Sequence, residues 1–81
     1  MNKKTIYFGA AGSGIAYSQL TKTSPDFFVD NDINKWGNYI NGVEIKDPNF
    51  LTSIMIKEII ITSTYVHEIL PQLLNMGIDK E

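Results

Sequence analysis

The sequence predicts an α/β domain of three layers: a parallel sheet of about four strands, in the order 3-2-1-4, with helices on both faces. Three observations carry this expectation. Short β-branched and aromatic runs alternate with helical patterns along the chain, as strand-helix-strand units with right-handed crossovers require. A glycine cluster, Gly9-Ala10-Ala11-Gly12-Ser13-Gly14, separates the first such run from the first helical pattern. Late in the chain, the run Ile59-Ile60-Ile61-Thr62 precedes an apolar helical stripe. At 81 residues the chain is expected to form one domain over 1–81, cut from a larger protein.

Thr5-Ile6-Tyr7-Phe8 reads as a first strand buried on both faces. After the glycine turn, Gly12, Ala16 and Leu20 recur at i, i+4, i+8 and predict a helix that lays small residues on the sheet. That helix should stop near Thr23-Ser24, because Pro25 disfavours helical geometry in the residue before it. Asp26-Phe27-Phe28-Val29-Asp30 predicts a short central strand, closed by the turn formers Asn31-Asp32-Ile33-Asn34. Residues 35–42 read as a connecting loop ending in Asn41-Gly42, and Val43-Glu44-Ile45 as a brief third strand. Asp47 and Pro48 suit the cap and first position of a short helix over 49–54. Ile59-Ile60-Ile61-Thr62 is the strongest strand signal and predicts a central strand. Val66, Ile69, Leu70, Leu73 and Leu74 form the stripe of a last helix, capped by Thr64, stopped by Gly77 and kinked at Pro71.

Charge narrows the function classes. Seven basic residues, all lysines and all scattered, stand against nine acidic ones for a formal charge of −2. This excludes the basic stripe of a nucleic-acid binder and the polybasic patch of a membrane-surface protein. Without arginine, a bound phosphate must rely on backbone N–H groups or a single lysine. The absence of cysteine removes disulfides, thiolate zinc sites and cysteine nucleophiles, and fits a reducing compartment, so the cytoplasm is the expected location. Met1-Asn2-Lys3-Lys4 has the basic character of a leader, but the apolar segment after it is short and broken by Gly9. No run approaches the roughly 18 apolar residues of a spanning helix, so no membrane insertion is expected.

The glycine cluster has the context of a phosphate cradle. A nucleotide crevice needs a glycine turn after the first strand, a helix starting at the phosphate, and an acidic residue ending the second strand for ribose hydroxyls. Gly9 follows the first strand, Gly14 opens the helix, and Asp30 lies 21 residues beyond Gly9. The spacing departs from G-x-G-x-x-G, whose middle glycine would fall on Ala11. Gly9, Gly12, Ser13 and Gly14 are therefore expected to cradle phosphate, and Asp30 to accept ribose hydroxyls. Ser63 and Thr64 would line the opposite wall.

The glycine cluster, together with Val29-Asp30-Asn31-Asp32, Lys35-Trp36-Gly37 and Ile40-Asn41-Gly42-Val43, resembles the small Rossmann-like domains of bacterial surface-polysaccharide enzymes. Two branches are similar: the N-terminal domain of nucleotide-sugar N-acetyltransferases, and the nucleotide-binding-like domain of nucleotide-sugar dehydratases and epimerases. The resemblance implies a domain that holds a nucleotide or nucleotide-sugar, with Gly12, Ser13 and Gly14 toward phosphate and Asp30 toward ribose or base. In the acetyltransferase branch, transfer belongs to a separate C-terminal β-helix, so the resemblance implies a covalently linked catalytic domain. The chain carries Ser13 and Ile15 where that branch has a histidine and a basic residue.

The remaining polar residues carry weaker signals. Asp30, Asn31 and Asp32 read as turn formers or ribose ligands rather than a metal site, since no His or Glu cluster adjoins them. Lys35 suits either a phosphate or an ion pair with Asp30 or Asp32. Trp36 and Tyr39 suit lid or core packing, and His67, with Glu68 beside it, a surface position. No acid, base and nucleophile converge, so no catalytic residue is assigned. The expected ligand is a nucleotide or nucleotide-sugar, with NAD or coenzyme A as an alternative in the same fold. The rival is an interaction domain without a ligand, whose exposed fourth-strand edge pairs with another copy.

Overall fold

β1, Lys4–Phe8, is the hub of the sheet, with a parallel strand on either side. The computed structural model of the chain describes residues 3–78. After β1 come α1 (Gly12–Thr21), β2 (Phe27–Val29), a 3-10 turn (Ile33–Lys35), β3 (Tyr39–Ile40) and β4 (Val43–Lys46). A second 3-10 segment (Pro48–Ser53), β5 (Ile56–Ile61) and α2 (Val66–Asn75) follow. The sheet order is β3-β4-β2-β1-β5.

Alternation along β1 divides the core. Ile6 and Phe8 point to one face, where Val29, Leu51, Ile69 and Leu73 join them, so α2 and the Pro48–Ser53 segment cover this side. Tyr7 points to the other, with Phe28, Ile45 and Ala10. There the Tyr7 ring meets Tyr17 of α1 edge-on at 5.3 Å and Phe28 at 5.8 Å. Its hydroxyl shares a 2.9 Å hydrogen bond with Thr23. The result is three layers, mostly parallel in the middle. Among the described residues no helix is long and apolar enough to cross a membrane.

Several expectations need correction. Among the described residues the sheet has five strands, because residues 35–42 are not only a loop. β3 pairs antiparallel with β4 across a two-residue turn in which Asn41 (φ 50°) and Gly42 (φ 82°) are both left-handed. That geometry matches the right-handed strand twist, and Asn-Gly is its preferred sequence. The added strand lies at the edge beyond β4, so the four expected strands keep their relative order. β5 is an edge strand rather than a central one, and its isoleucines are only half-buried.

α1 stops at Thr21, short of Thr23-Ser24, because Lys22 turns left-handed (φ 56°) and sends its N–H to the Ser18 carbonyl. The stripe expected to face the sheet faces solvent instead: Gly12 and Ala16 are exposed and Leu20 is 84% exposed. Gly14 is buried against the end of β1, with Ile15 and Ser18 half-buried beside it. The expected helix over 49–54 is the 3-10 segment Pro48–Ser53, capped as foreseen by the Asp47 carboxylate accepting from the Asn49 N–H at 2.9 Å.

α2 is capped by Tyr65, not Thr64, and the Tyr65 N–H is bound at 3.0 Å by the hydroxyl oxygen of Ser63. Gly77 (φ 80°) follows the helix end, where a left-handed residue is easiest for glycine. Pro71 lies inside α2, where proline removes a helical donor and crowds the carbonyl four residues back, that of His67. Because Pro71 is exposed, Pro71→Ala is expected to add about 1 kcal/mol and to raise Tm by roughly 5 °C in a calorimetric melt. An unchanged or lower Tm would show that the proline is accommodated without cost.

Candidate functional site

The glycine cluster splits into residues the fold needs and one it does not. Gly9 is buried at φ 131°, and a Cβ there would lie 2.8 Å from the Thr62 hydroxyl and 3.0 Å from the Ser63 nitrogen. A Cβ on Gly14 would collide with the Gly9 carbonyl oxygen. At Gly12 a Cβ would meet open space. Gly9 and Gly14 thus let α1, β1 and the end of β5 approach one another closely. The strand end is pinned from both sides. The Gly9 N–H donates to the Val29 carbonyl at 2.8 Å, and the Thr62 hydroxyl donates to the Gly9 carbonyl at 3.0 Å and more weakly to that of Phe8 at 3.3 Å.

Asp30, directly after β2, is a clamp. One carboxylate oxygen accepts from the Ala10 N–H at 2.8 Å and the other from the Asp32 N–H at 2.9 Å. Lys35 approaches the first oxygen at 3.7 Å and donates to the Ala10 carbonyl at 3.4 Å. The Asp30 carbonyl accepts from the Trp36 indole at 2.7 Å, which anchors the segment leaving β2. Asp32 in turn accepts from the Asn34 N–H at 3.0 Å and caps the following 3-10 turn. Ribose hydroxyls at Asp30 would share a carboxylate that already serves two backbone donors.

A cavity of about 340 Å³ opens beyond the carboxyl ends of β1, β2 and β5. Phe8 and Gly9 form its floor, and Asp30, Asn31 and Asp32 one wall. Ser63, Tyr65, Glu68 and Ile69, from the start of α2, form the other. The two walls are tied by a reciprocal amide pair, in which Asn31 and Gln72 each donate to the other at 2.9 Å. Among the described residues three carboxylates line the space and no basic side chain does. Among the described residues no group of three His, Cys, Asp or Glu side chains comes together in a way that could hold a metal ion.

Of the residues singled out in the sequence, Gly9, Asp30, Asp32 and Ser63 line the cavity. Gly12, Gly14, Lys35 and Thr64 are not in its lining, and the Ser13 side chain lies outside the described residues. Trp36 is half-buried against the Tyr7 face of the sheet, whereas Tyr39 and His67 are exposed. Sequence reasoning passed over Tyr65 and Glu68 as wall residues and Asn31 as a tie. The available signal was their place, since a helix that follows a parallel strand begins at the carboxyl end of the sheet.

A family model for C2185-like N-terminal domains matches residues 1–81. The crystal structure of UDP-D-quinovosamine 4-dehydrogenase from Vibrio fischeri is similar in fold, with a TM-score of 0.74 at 19% identity over 99% of this chain and 76% of that one. This likeness establishes a Rossmann-like fold. No curated protein matches the sequence.

Proposed function

The chain belongs to the C2185-like N-terminal family, and we propose that it binds a nucleotide or nucleotide-sugar within a cytoplasmic sugar-modifying protein whose catalysis resides in a linked domain. The observation that carries this reading is the position of the cavity. From β1 the chain proceeds to β2 on one side and, later, to β5 on the other, and the cavity lies outside the strand ends where the order reverses. Ligands of open α/β sheets bind at such switch points. The first N–H groups of α1 have no helical acceptor and offer anion donors next to Gly9. The structural neighbour is named for its action on a UDP-sugar, in keeping with this ligand class.

A thermal-shift panel with UDP, UDP-sugars, other nucleoside diphosphates, NAD and coenzyme A tests the reading. A ligand at about 100 times its Kd stabilises by about 2.7 kcal/mol, which in a domain this small raises Tm on the order of 10 °C. The expected result is a shift selective for one nucleotide class. A flat panel on folded protein rejects the reading in favour of an interaction domain. That second reading draws on the packing roles of Gly9 and Gly14 and on the outer edge of β5, which pairs with no strand among the described residues.

A further inference from the structure

Resting on that reading, we infer that the cavity holds the uncharged sugar ring of the ligand and leaves the phosphates outside, with Tyr65 and Glu68 determining specificity. Its lining is rich in hydrogen-bond acceptors and poor in cations. Asp32 has one carboxylate oxygen without a hydrogen bond among the described residues, and the Glu68 carboxylate has neither a hydrogen bond nor an ion pair there. Ionised carboxylates only accept, so they suit hydroxyl donors and repel phosphate oxygens. Lys35, the one cation within ion-pair distance of this wall among the described residues, is already turned toward Asp30 and the Ala10 carbonyl.

Tyr65 supplies the complementary surface. Its backbone is held by Ser63, while the residue is 64% exposed and lines the cavity, and its hydroxyl has no partner among the described residues. An aromatic face beside carboxylates matches a sugar ring, which presents apolar C–H groups on one side and hydroxyls at its edge. Phe8 and Ile69, both buried in the core, lie beneath the cavity. The volume also limits occupancy: about 340 Å³ is near the lower end of ligand pockets and suits one ring rather than a whole nucleotide-sugar. Either the ribose or the hexose of a nucleotide-sugar meets this description.

The test is amide chemical-shift mapping of the ¹⁵N-labelled chain with UDP-N-acetylglucosamine, UDP, uridine, methyl N-acetylglucosaminide and pyrophosphate. It is repeated on Glu68→Gln and Tyr65→Ala, both at exposed positions. A neutral probe is expected to move the Gly9, Ser63 and Glu68 amides: uridine if ribose occupies the cavity, the glycoside if hexose does. Each substitution is expected to weaken UDP-N-acetylglucosamine about 10-fold, the loss of one good contact. Pyrophosphate moving those amides, Glu68→Gln leaving affinity unchanged or tightening it, or silence of both neutral probes overturns the inference. If UDP still binds in any of these cases, the nucleotide reading stands without it. If no probe binds, both fall.

Discussion

Gly14→Ala is expected to destabilise the chain by about 3 kcal/mol, a large part of the roughly 5 kcal/mol available to a domain this small, whereas Gly12→Ala is expected to leave it folded. The added methyl at Gly14 would be driven into the Gly9 carbonyl, a backbone atom that cannot swing aside as a side chain can. Moving it would strain the Gly9 bonds to Val29 and Thr62, which join β1 to both neighbours. At Gly12 the methyl points into open space, and alanine favours the helix by a few tenths of a kcal/mol. Urea denaturation of the two variants decides the matter. Equal midpoints would mean that α1 is not held against the strand end by this contact.

The same contrast shows how far the sequence could be read. The strands at Tyr7, Phe28, Ile45 and Ile60 were legible because β-branched and aromatic residues cluster there, and the alternation with helices implies their parallel order. β3 was not, since two residues carry no periodicity, although Asn41-Gly42 held the hairpin signal. The stripe through Gly12, Ala16 and Leu20 misled because helical spacing identifies a face without saying what that face meets. The close approach at Gly14 decided the rotation of α1 instead. For the candidate site, Gly9 and Asp30 could be placed because strand ends locate them. Tyr65 and Glu68 reach the same cavity from α2, and only the packing of that helix over Phe8 brings them there.

Asp30→Ala is expected to cost about 2 to 3 kcal/mol without ligand, because it strips a partly buried carboxylate from the Ala10 and Asp32 N–H groups. Hydrogen bonds to an ionised acceptor are worth about 1.5 to 3 kcal/mol each, reduced here because water reaches the site and can replace part of the loss. Asp30→Asn should fall between the wild type and alanine, since its amide retains one acceptor but turns a donor toward a donor. Amide exchange gives the local readout: Ala10 and Asp32 should lose protection in Asp30→Ala, while β5 amides weaken only as far as global stability falls. A residue serving ribose hydroxyls alone would leave the ligand-free melt and these two amides unchanged, and that outcome would remove the clamp. Loss of protection at both positions would instead mean that Asp30 shapes the cavity before any ligand arrives. Its effect on affinity would then act through the placement of Asn31, Asp32 and the glycine turn, with direct contact an additional contribution.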